Sequence, residues 1–437
     1  MSMSWLKKLI NRFVPRGSFL QKVSVLATGT AAAQLLTICA MPIVTRLYTP
    51  EHMGLVALFL SFFFWWASTL SLRYENALLI AEDDEESHHL YEFVLILVAV
   101  TSLSGLPVLW CFMVFHVFEF NLLPTWSLIL MLPMLFGYGA FMATRAWALR
   151  GGLISELTQA AIVRASANSG VKIALGVANL GVLGLFIAEL VAAYASLFKL
   201  KRATDRHFLQ SKPRRITWGG AKDIARRYYK FPVFEAPATW LDALTLVLPI
   251  PMIAALYGPT EVGWFTLARM IVGAPNAQIG AAAADVFQME LAKVVKSGDQ
   301  SRANDLFYSL IKKMAIFGLL PLVVTVVVAP WGMRLVFGVD WAESGRVAAV
   351  IAPWFYASLV LLPLSRVLSV LQKQEYKLIT DGFSLFTMAL AFMLGRLTQC
   401  SFIEFVGLMA IGGVISSVIY IVILKTIINR EMVADSN

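Results

Sequence analysis

Apolar residues run along almost the whole chain in stretches of twenty or more, broken by short polar and charged clusters. A helix that crosses a bilayer needs roughly 20 mostly apolar residues. The pattern predicts twelve such spans, near 23–45, 54–80, 91–117, 122–148, 155–178, 181–200, 231–257, 262–289, 314–337, 345–369, 378–397 and 402–428. The first is longer than a signal-peptide core and no small-residue cleavage site follows it, so it reads as a retained span. The fifth and eighth are interrupted by Arg164, Lys172, Arg269 and Asp285. Composition agrees with the periodicity. Charged residues make up 14% of the chain and hydrophobic ones 59%, with a mean hydropathy of +0.72, whereas soluble domains carry about 25% charged residues. The expected class is an all-α polytopic membrane protein.

A motif repeats within the chain. Pro42, Leu47, Tyr48, Pro50, Gly54 and Leu58 recur as Pro251, Leu256, Tyr257, Pro259, Gly263 and Leu267, each shifted by 209 positions. The shift is close to half of 437 residues, which points to a duplicated six-span unit. Charge sets the orientation. With the amino terminus inside, 29 Lys and Arg fall in cytoplasmic segments and four (Arg46, Arg334, Arg346 and Arg396) fall outside. Six spans return the chain to its starting side, so the halves are parallel repeats. The expected organisation is a six-helix bundle over residues 1–200, a basic cytoplasmic connector over 201–230, and a second six-helix bundle over 231–437, both termini being cytoplasmic. Trp5, Leu6, Leu9, Ile10 and Phe13 alternate with basic residues at helical spacing, which predicts an interfacial helix before span one. The net charge of +9 therefore belongs to loops facing membrane lipids, not to a nucleic-acid site.

Charges inside the spans carry the candidate chemistry. An Arg or Lys at the centre of a span costs about 2.5–3.5 kcal/mol on insertion scales, so such groups face protein or a watery cavity. Arg164 and Lys172 share span five with Gln159, Ser166, Asn168 and Ser169. Arg269 follows the repeated Gly263 by about one turn, and Arg73 with Glu75 stands near the inner end of span two. Arg73, Arg164, Lys172 and Arg269 are the candidates for a cationic cavity that takes an anionic ligand. Glu75, Glu235, Asp242 and Asp285 are the candidates for ion coupling, and Glu235 and Asp242 lie seven residues apart on one face of span seven. A plainer role competes with each: the cations pair with acids such as Glu189, Glu235, Asp242 or Asp285, and Glu235 pairs with the basic connector beside it.

Other features exclude classes of function. Cys39, Cys111 and Cys400 make neither a disulfide framework nor a zinc spacing. The acidic run Glu82 to Glu86 beside His88 and His89 reads as a solvated loop, with no metal and no cofactor called for. There is no phosphate-binding G-x4-G-K-[ST] loop, no H-E-x-x-H and no G-x-S-x-G element, and no outward loop is large enough for a catalytic domain. The sequence describes a transporter and not an enzyme.

Four elements carry a resemblance. Arg46 to Gly54 (RLYTPEHMG) resembles the stretch between the first two spans of bacterial oligosaccharide-lipid flippases. Leu72-Arg73-Tyr74-Glu75 followed by Glu82 to Glu86, then Phe337-Gly338-Val339-Asp340-Trp341, then Ala352-Pro353, are similar to further elements of that family in the same order. The resemblance implies the fold of the multidrug, oligosaccharidyl-lipid and polysaccharide exporter superfamily, with two six-helix bundles. It implies a cell inner membrane flippase that moves a polyprenyl-pyrophosphate-linked oligosaccharide from the cytoplasmic to the periplasmic leaflet by alternating access. The pathways implied are O-antigen (lipopolysaccharide), capsule or exopolysaccharide biosynthesis, with other polysaccharide-assembly proteins as partners. It also implies a positively charged central cavity. Two rivals stand beside it: a multidrug cation antiporter of the same superfamily, which wants an acidic cavity, and a membrane polysaccharide polymerase or ligase, which wants a large outward loop.

Overall fold

The computed structural model describes residues 19–208, 217–297, 299–371, 373 and 375–434. The expected interfacial helix over Trp5 to Phe13, and residues 209–216 of the connector, lie outside that set. In chain order the helices are α1 (Phe19–Leu47), α2 (Pro50–Ala67), α3 (Asp84–Val114), α4 (Ser127–Arg150), α5 (Ile154–Val177), α6 (Gly181–His207) and α7 (Trp218–Arg227). They continue as α8 (Ala236–Val247), α9 (Pro249–Tyr257), α10 (Pro259–Lys296), α11 (Gln300–Phe337), α12 (Ala342–Leu364), α13 (Arg366–Val370), α14 (Glu375–Thr398) and α15 (Phe402–Ala434). Nine helical segments among the described residues are long and apolar enough to cross a membrane. The expected spans two, five and eight correspond to α2, α5 and α10, which stand outside those nine. Charge explains this for two of them, since α5 carries Glu156, Arg164 and Lys172 and α10 carries Glu261, Arg269 and Asp285. With those three, the described residues hold the twelve long helical segments that the pattern predicts.

Span two differs from expectation. The apolar run over 54–80 predicts one continuous helix, but α2 stops at Ala67 and a short 3₁₀ helix follows at Tyr74–Leu79. Leu72 and Arg73 between them have φ of 47° and 66°, the left-handed region that non-glycine residues seldom occupy. Arg73 therefore sits on that turn and Glu75 in the 3₁₀ helix after it, neither on a spanning helix. Hydropathy cannot register such a break, because an apolar residue in a buried turn and one in a helix look alike to it.

The chain divides into two compact units, Met1–Tyr48 with Phe59–Ala243, and Thr49–Leu58 with Leu244–Asn437. In the first, α1 packs on α5, α5 and α4 on α6, and α3 on α4. Tyr48 closes the end of α1 by donating its hydroxyl to the Lys172 carbonyl at 2.9 Å. An aromatic cluster joins Phe62, Trp66, Phe112 and Phe120, and Trp65 lies 4.7 Å from Trp240 between ring centroids. In the second unit α12 is central, packed on α10, α11 and α15, and α15 holds α14. Its core is built from Phe287, Leu291, Phe307, Leu364 and Leu424.

The duplicated motif has a matching geometry. Tyr257, the counterpart of Tyr48, donates its hydroxyl to the Cys400 carbonyl, also at 2.9 Å. Within the second unit the starts of α2 and α10 cross at the repeated glycines. A Cβ on Gly54 would stand 1.7 Å from the Pro259 carbonyl oxygen, and one on Gly263 would stand 2.0 Å from that of Pro50. Lipid is as apolar as leucine, so helices in a bilayer associate by close backbone approach at small residues. Gly54→Leu and Gly263→Leu should each lower the thermal midpoint in detergent, with a loss of about 1–3 kcal/mol or more from overpacking against backbone. Gly382→Ala is the control: nothing lies within 4 Å of its Cβ position, and the change should be neutral or stabilising by about 0.4–1 kcal/mol. Equal destabilisation by all three would refute the crossing.

Candidate functional site

The left-handed turn at Leu72 and Arg73 aims a guanidinium at two carboxylates. Arg73 approaches Glu235 at 2.7 Å through Nη2 and 3.0 Å through Nε, and Glu75 at 3.1 Å through Nη1. Asn76 Nδ2 donates to the same Glu235 oxygen at 2.5 Å, and the Ser71 hydroxyl donates to Glu75. Glu75 is buried at 5% exposure. Glu235 closes a short π-helical stretch over Phe231–Glu235, a local widening common at functional positions. Arg73 meets carboxylates within its own unit, the plainer of its two expected roles. Among the described residues the partners of Glu235 are Arg73 and Asn76 and not the basic connector beside it. The sequence hides this pair because its members are 162 positions apart.

The polar stripe of α5 behaves differently along its length. Arg164, Asn168 and Lys172 recur every four residues and share a face. Lys172 Nζ contacts Glu189 of α6 at 2.8 Å, with side-chain exposures of 18% and 15%, and Asn168 bonds the same carboxylate. Arg164 makes no ion pair among the described residues, although its charge acts on the Glu189 carboxylate that Lys172 holds. Its guanidinium lies over aromatic rings instead, 5.7 Å from Tyr138 and 6.0 Å from Phe141 on α4. Such cation–π contacts stabilise by about 0.5–2 kcal/mol and leave the charge unneutralised. Tyr138, Phe141 and Arg145 fall on one face of α4, and the charges of Arg164, Arg145, Arg73 and Glu75 all act on the Tyr138 hydroxyl. Tyr138 and Arg145 were not among the expected site residues. Their spacing of seven, opposite a helix already too polar for lipid, is the signal that could have found them.

In the second unit Arg269 is half-buried and has neither an ion pair nor a hydrogen bond among the described residues. One turn earlier, the Thr266 hydroxyl is buried without a hydrogen-bond partner. Further along the same stripe α10 meets α12: Asn276 Nδ2 donates to the Phe355 carbonyl at 2.9 Å, and Gly273 and Gly280 approach Phe355 and Leu362. Asp285 and Asp242 are exposed. The expected candidates thus sort by company. Arg73 and Lys172 make ion pairs with carboxylates, and among the described residues Arg164 and Arg269 make none.

The acidic run has a structural task. Asp83 caps α3 by accepting from the Glu86 amide at 2.7 Å, while Glu86 accepts from the Glu82 amide at 2.8 Å, a reciprocal arrangement at the positive end of the helix dipole. Glu86 also holds α7, pairing with Arg227 at 2.9 Å and accepting from the Tyr228 hydroxyl at 3.1 Å. Arg150 donates to the Leu78, Ala81 and Asp83 carbonyls of the same segment. Among the described residues no group of three or more His, Cys, Asp and Glu could hold a metal ion.

Removing one member of a buried ion pair costs about 3–5 kcal/mol, because the other is left charged in an apolar surround. Lys172→Met should therefore lower the thermal midpoint sharply. Lys172→Met with Glu189→Leu should restore most of it, as measured on the purified protein; no recovery would mean that the pair is not the reason for Lys172.

The comparisons with known proteins follow from this fold. The model of a family described as polysaccharide biosynthesis protein matches residues 43–346. No curated protein sequence matches the chain. Among solved structures, the lipid II flippase MurJ in an inward closed conformation is similar at a TM-score of 0.72 and 12% identity, covering 91% of this chain and 86% of that one. An inward-facing multidrug resistance MATE family transporter of the MOP superfamily reaches 0.68 at 15% identity, covering 92% and 98%. A MOP superfamily transporter from Pyrococcus furiosus, described by a binding pocket of reverse polarity, reaches 0.56 at 14% identity, covering 95% and 97%. The shared architecture is that of membrane transporters, and the family match spans most of the sequence: this chain belongs to the polysaccharide biosynthesis protein family.

Proposed function

We propose that this protein is a flippase that carries a polyprenyl-pyrophosphate-linked oligosaccharide from the cytoplasmic to the periplasmic leaflet of a bacterial inner membrane, by alternating access, for O-antigen, capsule or exopolysaccharide assembly. The observation that carries the reading is that Arg164 and Arg269, on two helices of a member of this family, make no ion pair among the described residues. A guanidinium without a counter-charge is costly in a bilayer unless water or an anion reaches it. Pyrophosphate and acidic sugars are such anions, and a planar forked donor suits them. The head group is what requires a protein, since passage through hydrocarbon would strip its hydration. The prenyl tail needs no such help.

Arg73 faces two carboxylates, Glu75 and Glu235, so that cluster holds one more acid than base. It stands as the first place to seek proton or sodium coupling, ahead of the exposed Asp242 and Asp285. The basic bias puts the connector and both termini in the cytoplasm under this reading. The multidrug reading has support in the fold it shares with multidrug exporters, but an organic cation would meet Arg164 and Arg269 as like charges.

In proteoliposomes with a fluorescent polyprenyl-pyrophosphate sugar, Arg164→Gln with Arg269→Gln should slow flipping at least tenfold at unchanged protein level. Arg→Lys at both sites should keep a larger part of the rate, since the positive charge remains. Wild-type flipping by the double Gln variant would refute the assignment, and transport of a cationic dye would favour the rival.

A further inference from the structure

Threonines inside the helices of this protein satisfy their hydroxyls locally. Thr37, Thr144, Thr158 and Thr204 each donate to the carbonyl four residues earlier, at 2.7–3.3 Å, the back-bond open to a threonine in a helix. Thr266 on α10 does not. Its hydroxyl oxygen is buried and has no hydrogen-bond partner, a condition that costs the full desolvation of the group. Ser102, Ser127 and Ser344 are buried without partners too, but none of them has an unpaired cation within one turn of its own helix. Thr266 has one. Arg269 lies three residues on, where helical side chains are neighbours. It is half-buried and stands outside every ion pair and hydrogen bond among the described residues. A long side chain on a helix leans back over the preceding turn, so the reach of Arg269 is toward Thr266.

The internal repeat shows that the helix crossing requires neither group. α2 and α10 carry the same motif, with Gly54 and Gly263 at the close approach. Three and six residues beyond the glycine, α2 has Ala57 and Leu60, and α10 has Thr266 and Arg269. The hydroxyl and the cation therefore occur together in one copy of a duplicated helix, and the other copy makes the same approach with two apolar side chains. What the pair shares is donation: a guanidinium offers a fork of N–H groups and a threonine one O–H. Neighbouring donors of this kind suit the oxygens of an anion.

We propose that Thr266 is a specificity-determining residue, its hydroxyl donating together with the Arg269 guanidinium to one oxyanion group of the transported head group. The inference rests on the flippase reading and adds a second contact at the Arg269 end of it. The oxyanion is a phosphate of the pyrophosphate or the carboxylate of an acidic sugar. Alternating access covers the site during part of each cycle, and its donors are then buried and unpaired.

The test sets Thr266→Val, which keeps the shape and removes the hydroxyl, against Thr266→Ser, which keeps the hydroxyl, each with and without Arg269→Gln. The shift of the thermal midpoint of the purified protein with inorganic pyrophosphate and with glucuronate reads binding without transport. Flipping of a polyprenyl-pyrophosphate that bears a neutral or an acidic sugar, in proteoliposomes, reads KM and kcat. Thr266→Val should keep or raise the ligand-free midpoint, since an unpaired hydroxyl is removed. It should weaken binding of one of the two anions by about fivefold, the scale of one hydrogen bond, and raise KM to match. Thr266→Ser should stay within about twofold of wild type, and Thr266→Val should add little in the Arg269→Gln background, because both donors serve one anion. Loss toward pyrophosphate assigns the phosphate, and loss confined to glucuronate and the acidic sugar assigns the carboxylate.

A lowered ligand-free midpoint in Thr266→Val, no response of the wild type to either anion, undiminished binding of both by Thr266→Val, or an equal loss with and without Arg269 would overturn the proposal. The two readings fail separately. A wild-type protein that binds an anion through Thr266 and flips no lipid-linked sugar loses the flippase reading and keeps the site. Flipping by the wild type that Thr266→Val matches in KM keeps the flippase reading and loses the site.

Discussion

Charge held at membrane depth must be answered, and the arrangement of this protein follows from how each charge is answered. Lys172 meets Glu189 with help from Asn168. Arg73 meets Glu75 and Glu235 with help from Ser71 and Asn76. In each case a hydrogen-bonding amide or hydroxyl completes the carboxylate, as expected where an incomplete polar network costs more than an apolar one. Arg164 makes no ion pair among the described residues; it lies over two ring faces, and its charge acts on Glu189 without a direct contact. Arg269 receives nothing from the described residues.

A second constraint comes from helix association in lipid. Apolar side chains alone give no net drive between helices in hydrocarbon, so backbones approach closely at small residues and polar tips reach across. The duplicated motif supplies both devices at equivalent positions. Tyr48 donates to a carbonyl within α5 and Tyr257 to one in the link between α14 and α15, and Gly54 and Gly263 let the starts of two helices touch. This gives the repeated residues a physical reason: the tyrosine hydroxyl ties the end of its own helix to a backbone carbonyl of a neighbouring segment, and any Cβ at either glycine would separate the crossing.

Much of the candidate site could be read from residue type. The cations in spans five and eight stand out against an apolar background, and their cost in lipid is independent of what surrounds them. Their company could not be read. Glu235 lies beside a basic connector in sequence, yet its partner is Arg73, placed there by a left-handed turn inside an apolar run. Glu82 to Glu86 look like a solvated loop, and they begin a helix and hold α7. Tyr138 and Arg145 gain meaning only from the helix opposite them.

The sequence alone determined the class, the twelve long segments and the internal repeat, because the transfer of side chains between water and hydrocarbon is a local property that sums along the chain. Tertiary structure alone decided where α2 ends, which cations are paired, and which carboxylates pair them. Those outcomes depend on distances of a few ångströms between residues 17 to 162 positions apart, and electrostatic energy between charged groups depends on that separation and on the medium between them, neither of which a linear order specifies.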